Sequence, residues 1–585
     1  MNVSPIRLKS CPKNYTLDLD KARSPEETFA DVSRRLKNSG LDIFAGARRV
    51  DCGRLGIPVY LGLCGQDARE VLPTRKQMGK GSSAAQARAS ALMEVMERYA
   101  FFSFFERRPN FARATWQEAE NLFGQDLIGI DEMRKSVNDP VDPETARAIL
   151  NLRSWDFYPA TRLADGEIVW LPLDWFRMLG EFNGSSAGNS AEESILQGIS
   201  ELLERHCCCL AERERPILPT IDPSTCKDPV LAKLVEAFRR EGILLILKDF
   251  SQGLPMPCVA ALAHDPATFP EKSEIVFTAG TASSPAKAAI RAITEVAQLG
   301  GDFCTSSCYE ASGLPKFTSP DQFHWLMEGP VVSLDTLPDI SSGDILEEIS
   351  RLVHDLAPTN VYAVETANVY AVETAHPDLA VPAHYCIAPG LAFRERDRNQ
   401  SIGLFTGRKL AEEGRFAAIE ELARLCPNAH YLPFFRGMLA LGAGDYKKAA
   451  EFFAAAAPLQ PDDESRALAM FYNGHAKTLM DDWGQAIPEL SAAFRLCPSM
   501  KEYGNLLGVA LFKTGSYPNA EEIFGKVLKI DKGSAMDLAN RGICRKLQGK
   551  NEAALEDLRA ALELEPDLDF ARRHLEELTY NWNIV

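Results

Sequence analysis

SAGNSAEESILQGISELLERH, residues 186–206, is the stretch from which the rest of the chain can be read. It opens on a turn of small residues ending at Ser190, a residue type that accepts hydrogen bonds from the first free N–H groups of a helix. The helix it starts carries Glu201-x-x-Glu204-Arg205 eleven residues later, and carboxylates three apart leave one helical face together. Glu193 lies eight residues before Glu201, about 80° around the helix and on roughly the same side. The same pattern precedes it as GKGSSAAQARASALMEVMERY at 79–99, where Ser83 stands eleven residues before Glu94 and Glu94-x-x-Glu97-Arg98 follows. A third copy comes after it, with Gly280-Thr-Ala-Ser-Ser284 leading to Glu295-x-x-Gln298 through AAIRAITEVAQ at 288–298.

A single Glu-x-x-Glu-Arg reads as an exposed, salt-bridged surface. Its return after the same small-residue turn points instead to a site. Glu94, Glu97, Glu193, Glu201 and Glu204 converge if the first two helices face each other, and such a group repels itself unless cations neutralise it. Oxygen donors of this kind suit hard divalent ions, chiefly Mg²⁺ carrying phosphates. Free N–H groups at a helix start favour an anion. The P-loop spacing G-x-x-x-x-G-K-[ST] is absent, because Gly79-Lys80 runs on into Gly81.

Around these copies, strand-like runs (IVWLPL at 168–173, ILLILKDF at 243–250, CVAALA at 258–263, EIVF at 274–277) alternate with helical ones. The texture predicts an α+β domain over residues 1–395. The charged stretch at 396–408 reads as a linker. Residues 409–585 read as all-α repeats: Gly437, Gly474, Gly508 and Gly542 recur at steps of 37, 34 and 34, with Ala449, Ala486, Ala520 and Ala554 in register. Pro461, Pro498, Lys532 and Pro566 close the units. The pattern resembles the tetratricopeptide repeat, about four full units preceded by half of a degenerate one at 409–427. One such unit cannot bury its own apolar face, so stacking stabilises the array. A tandem NVYAVETA at 360–367 and 368–375 preserves strand alternation, since eight is even, and reads as an insertion without function.

The 585 residues carry a formal net charge of −17, which argues against a chain that grips nucleic acid through its phosphates. No apolar run long enough for a signal peptide or a membrane span occurs, so the expectation is a cytoplasmic protein with no membrane partner. The 14 cysteines are scattered, form no C-x-x-C pair and predict neither disulfides nor zinc. Cys207, Cys208 and Cys209 splay too widely around a helix to share one ion. Cys304 and Cys308, four apart, fit one helical face and read as buried apolar side chains. The nine histidines offer no catalytic triad.

At the three acidic stretches the sequence resembles the YcaO family, over most of residues 1–395. The resemblance implies an ATP-binding fold without a P-loop, in which Mg²⁺ ions sit between glutamates and nucleotide. By motif position, Glu94, Glu97, Glu193, Glu201 and Glu204 look like the carboxylates of the Mg²⁺ and phosphate shell. Ser186 and Asn189 look like nucleotide contacts, Arg291 with Glu295 like the pair that completes the site, and KARSPEETF places Lys21 and Thr28 near the nucleotide. The family implies attack on a backbone amide followed by phosphorylation of its oxygen. A Cys, Ser or Thr nucleophile gives an azoline and external sulfide a thioamide.

Azoline-forming members tend to end in a proline-rich tail, whereas here VPAHYCIAPGLAF at 381–393 runs on towards helical repeats. The expected partners are a peptide or protein substrate, a sulfur-delivery or accessory protein, a protein held by the repeats, and a second copy in a homodimer. The competing reading is a non-catalytic scaffold whose repeats act while the ATP site is vestigial or regulatory.

Overall fold

The computed structural model describes residues 4–51, 54–74, 77–270, 273–299, 317, 319–357, 368–393, 399–531 and 533–582. Cys304, Cys308 and the first NVYAVETA copy lie outside them. The chain divides into two compact units, Met1–Pro143 with Ser154–Arg398, and Glu144–Arg153 with Asn399–Val585.

The first unit is α+β, as expected. It holds a three-stranded sheet, a five-stranded sheet and a six-stranded sheet. Each sheet ends on a strand that turns directly into a long helix. Strand Gln77–Lys80 leads to helix Ala84–Arg107, strand Ser185–Ala187 to Ala191–Glu214, and strand Val276–Thr281 to Pro285–Leu299. The first two helices are alike to their ends: both run 24 residues, and both stop at an arginine with positive φ, Arg108 and Arg215, each at 46°.

Every one of these helices has an apolar face in a core. Leu92, Val95, Met96 and Tyr99 pack with Val32, Leu36 and Ile43. Ile195, Ile199, Leu202 and Leu203 pack with Phe250, Leu262 and Leu352. Ile290, Ile293 and Val296 pack with Val259 and Leu247. Apolar residues at i, i+4, i+7 and i+8 make that face, and the polar remainder of each helix is left to line something else. Of the three adjacent cysteines, Cys207 and Cys209 are buried in the protein interior. The second NVYAVETA copy supplies strand Tyr370–Glu373 of the six-stranded sheet.

Close strand-to-helix contact explains the glycines. A Cβ on Gly79 would sit 2.0 Å from the Ala91 nitrogen, and one on Gly280 2.4 Å from the Ala292 nitrogen. The middle copy solves the same contact from the other side. Ser186 takes the strand position of Gly79 and Gly280, and Gly198 takes the helix position of Ala91 and Ala292. A Cβ on Gly198 would approach the Ser186 Oγ to 3.0 Å.

The second unit is all-helical. Among the described residues it contains five helix pairs from Ile402 to Leu564 and a terminal helix Asp569–Trp582. In successive pairs, Gly437, Gly474, Gly508 and Gly542 face Phe453, Leu490, Phe524 and Leu558, each sixteen residues on. Gly407 does the same against Leu422 and Phe435, so Ile402–Glu412 with Phe416–Leu425 is a whole first pair. Its first helix occupies part of the 396–408 stretch read as linker. Arg153 of this unit forms an ion pair with Glu413, at 2.8 Å.

Candidate active site

A cavity of about 330 Å³ lies in the first unit, and its wall repeats itself. Glu94, Glu201 and Glu295 face it from equivalent positions of the three helices. So do Ser90, Gln197 and Arg291, four residues earlier, and Glu97, Glu204 and Gln298, three later. Arg98, Arg205 and Leu299 complete the fourth row. Positions i−4, i, i+3 and i+4 lie on one helical face, opposite to the core-packed one. The third helix therefore varies the theme, bringing Arg291 where its sisters have Ser and Gln.

The N-terminal segment closes the cavity with Leu19, Lys21, Arg23, Pro25 and Thr28. Its own contacts run to the starts of all three helices. Asp18 accepts a hydrogen bond from Ser82 at 2.5 Å, the Lys9 N–H donates to Glu192 at 2.8 Å, and Lys287 donates to the Leu17 carbonyl at 2.7 Å. Helix Pro25–Ser39 begins there with a capping box between Ser24 and Glu27.

Of the residues expected from sequence, Lys21, Thr28, Glu94, Glu97, Asn189, Glu193, Glu201, Glu204, Arg291 and Glu295 all line this one cavity. Ser186 does not. Strand Ser185–Ala187 alternates its side chains, which sends Ser186 inward, where its hydroxyl donates to the Ser194 carbonyl at 2.7 Å. Its neighbour Ser185 is the serine beside the acids, donating to Glu97 at 3.2 Å. Glu193 is buried and already engaged: it accepts from the Ala22 N–H at 3.0 Å and from the Asn189 side chain at 3.1 Å, with Lys21 at 3.5 Å. Asn189 in turn accepts from the Thr28 hydroxyl at 3.1 Å. This carboxylate ties the N-terminal segment to the second helix.

Six carboxylates and six cationic side chains line the cavity. Arg98 bonds Glu94 at 3.0 Å and Glu97 at 3.2 Å, with its guanidinium over the Phe182 ring, and Arg205 stands 3.8 Å from Glu201. Lys80, at the end of the first strand, forms an ion pair with Glu295. Burial, then the charge of Arg291, pull Lys80 down from the ordinary lysine value to about 7. Burial, with Glu94 and Glu201 as like-charged neighbours, pushes Glu97 well above the usual carboxylate range against the pull of Arg98. Burial also raises Glu201, beside Glu204 and Glu94. At Glu97 and Glu201 burial outweighs the pull of the neighbouring arginines, an imbalance that the even count hides.

That imbalance is the test for Mg²⁺, and the residues fit. The donors at Glu94, Glu97, Glu201 and Glu204 are oxygens, and a divalent cation relieves what burial costs Glu97 and Glu201. Among the described residues no three His, Cys, Asp or Glu side chains are grouped closely enough to hold a metal by themselves. Mg²⁺ takes few protein ligands and completes its shell with phosphate and water, so this arrangement suits it. The Arg291 Nε is buried without a partner.

Sequence reading missed Lys80, Arg98, Arg205, Gln197 and Ser185. The arginines were visible as the last letters of Glu-x-x-Glu-Arg, and Lys80 as the charge between two glycines. Among the described residues no helix is long and apolar enough to cross a membrane.

A family model described as YcaO cyclodehydratase, ATP- and Mg²⁺-binding, matches residues 78–392, and a tetratricopeptide repeat model matches 480–535. An uncharacterized protein of Methanothermobacter thermautotrophicus is 26% identical over 398 residues, 63% of this chain and 94% of its own length. The ribosomal protein S12 methylthiotransferase accessory factor YcaO of Escherichia coli is 28% identical over 207 residues, 32% of this chain and 35% of the relative. Among solved structures, a heterocyclase in complex with substrate and cofactor superposes with a TM-score of 0.52 at 19% identity, over 69% of this chain and 57% of that one. ATP and Mg²⁺ are thus the cofactors of this domain, and with its family model covering 78–392 the chain belongs to the YcaO family.

Proposed function

We propose that this protein uses ATP to activate a backbone amide of a peptide or protein, on the way to a thioamide or an azoline. The observation that supports the reading best is the cavity wall, where three equivalent helices present carboxylates and cations to one space. When bound, ATP supplies the phosphoryl group that turns the amide oxygen into a leaving group, and Mg²⁺ offsets its charge. The chain's part is positioning and charge, which is most of what phosphoryl transfer asks of a protein.

In this reading Glu94, Glu97, Glu201 and Glu204 hold the cations. Arg291 and Glu295 face the reacting end, while Lys21, Thr28, Asn189 and Glu193 fix the N-terminal segment over the nucleotide. Ser186 supports the second helix from below. The helical repeats recruit substrate or partner through the groove that such stacks offer. A cytoplasmic setting and a homodimer are part of the same proposal.

The test is isotopic. Peptides carrying ¹⁸O in their backbone carbonyls, incubated with the protein, ATP, Mg²⁺ and a sulfide source, are expected to deliver the label to phosphate. Label found only in unmodified peptide contradicts the reading and favours the scaffold. Replacement of oxygen by sulfur or loss of water in the product separates thioamide from azoline.

A further inference from the structure

Lys80 is the cavity charge that the architecture least requires. Its two equivalents in the sister copies are Ala187 and Thr281, and both copies build the same strand-to-helix turn without a lysine. Yet its backbone is held rigidly. A Cβ on Gly79 would strike Ala91, and one on Gly81 would lie 2.5 Å from the Gln86 side chain, so the strand end is pressed onto the helix on both sides of Lys80. Its side chain lines the cavity, paired with Glu295 from the third helix. Arg291, one helical turn before Glu295, is the cation that repels it most. Two cations drawn from different copies of the strand-to-helix turn into one cavity are stabilised by an anion that reaches both. A lysine ammonium acts on phosphate as a compact point charge.

We propose that Lys80 is a phosphate-contacting residue, which leaves Glu295 when nucleotide binds and, with Arg291, holds the β- and γ-phosphates. The proposal rests on the family's ATP binding and on no particular fate of the amide. It separates two jobs: the carboxylates hold cations, and the Lys80–Arg291 pair holds the anion directly.

Nucleotide binding to the full chain tests it by titration calorimetry with Mg²⁺, comparing ATP with AMP on wild type, Lys80→Arg and Lys80→Met. One charge-assisted hydrogen bond corresponds to roughly a ten- to hundredfold change in affinity. Lys80→Met is expected to weaken ATP by that factor and leave AMP unchanged, and Lys80→Arg to recover most of the loss. AMP serves as the control for folding, because a collapsed site binds neither.

Should Lys80→Met not fold, Lys80→Gln is compared with wild type by thermal melting in inorganic triphosphate and Mg²⁺. Triphosphate is expected to protect the wild type alone. Equal protection, equal ATP affinity in Lys80→Met, or equal loss of ATP and AMP overturns the proposal. If wild type binds ATP with Mg²⁺ and Lys80→Met matches it, the amide-activation reading survives and this one falls. If wild type binds no nucleotide, both fall.

Discussion

Glu97 is held at a cost, and that makes it informative. Its carboxyl is pushed up by burial and by two acidic neighbours, so its charge costs the fold stability. Glu97→Gln is therefore expected to raise the melting temperature of the empty protein by a few degrees while removing Mg²⁺-dependent ATP binding, a trade common at active sites. Thermal melting and calorimetry on the same sample check both halves, and a lower melting temperature contradicts the charge assignment.

Ser186→Ala is expected to behave in the opposite way. It loses a buried hydrogen bond, worth about 1 kcal/mol of stability, and leaves nucleotide affinity within a few-fold. Sequence placed Ser186 near nucleotide because motif position says nothing of strand parity. One residue of offset, Ser185 against Ser186, decides which hydroxyl meets the acids. The carboxylates themselves were readable, since a helix fixes which of its residues share a face. Lys80 was not, because a single charge in a turn has no period to announce it.

At the scale of elements, the fold rests on strand ends lying directly on helices. Gly79→Ala places a methyl carbon 2.0 Å from a backbone nitrogen, a contact that neither element can relax. It is expected to abolish stable folding of the first unit, read by loss of its cooperative melting. Gly508→Ala meets only the edge of the Phe524 ring at 2.6 Å, and is expected to cost the repeat unit about 1–3 kcal/mol in denaturant titration.

The repeat glycines were legible because they recur at almost equal steps. Gly407 escaped because the step from it to Gly437 is 30 residues, shorter than the others. A short second helix, the 10 residues Phe416–Leu425 where the last three pairs have 14, and not a decayed sequence, hid the first pair. The three strand-to-helix copies are separated by unlike insertions, and were legible only because the offset from Ser to Glu is kept.

On the scale of the whole molecule, each of the two units has its own cores, and the second carries a charge network that contributes to its acid stability. Glu521 is partly buried, which alone raises a carboxyl, but hydrogen bonds from Lys550, Arg545 and Gln548 hold it down at about 2. A folded value below the unfolded one means that the contribution is complete above about pH 4.5 and is lost as pH falls towards 2. Acid titration of the helical signal is expected to show that loss in wild type and a flatter profile in Glu521→Gln. A profile that is unchanged by the substitution contradicts the network.

That three equivalent helices line one nucleotide site is a reading that a single titration addresses. A non-hydrolysable ATP analogue is titrated into wild type, Glu94→Gln and Glu201→Gln, with and without Mg²⁺. The expected result is binding by wild type only when Mg²⁺ is present, and at least tenfold weaker binding by both variants. Nucleotide affinity that ignores Mg²⁺, or that survives both substitutions unchanged, would contradict the account.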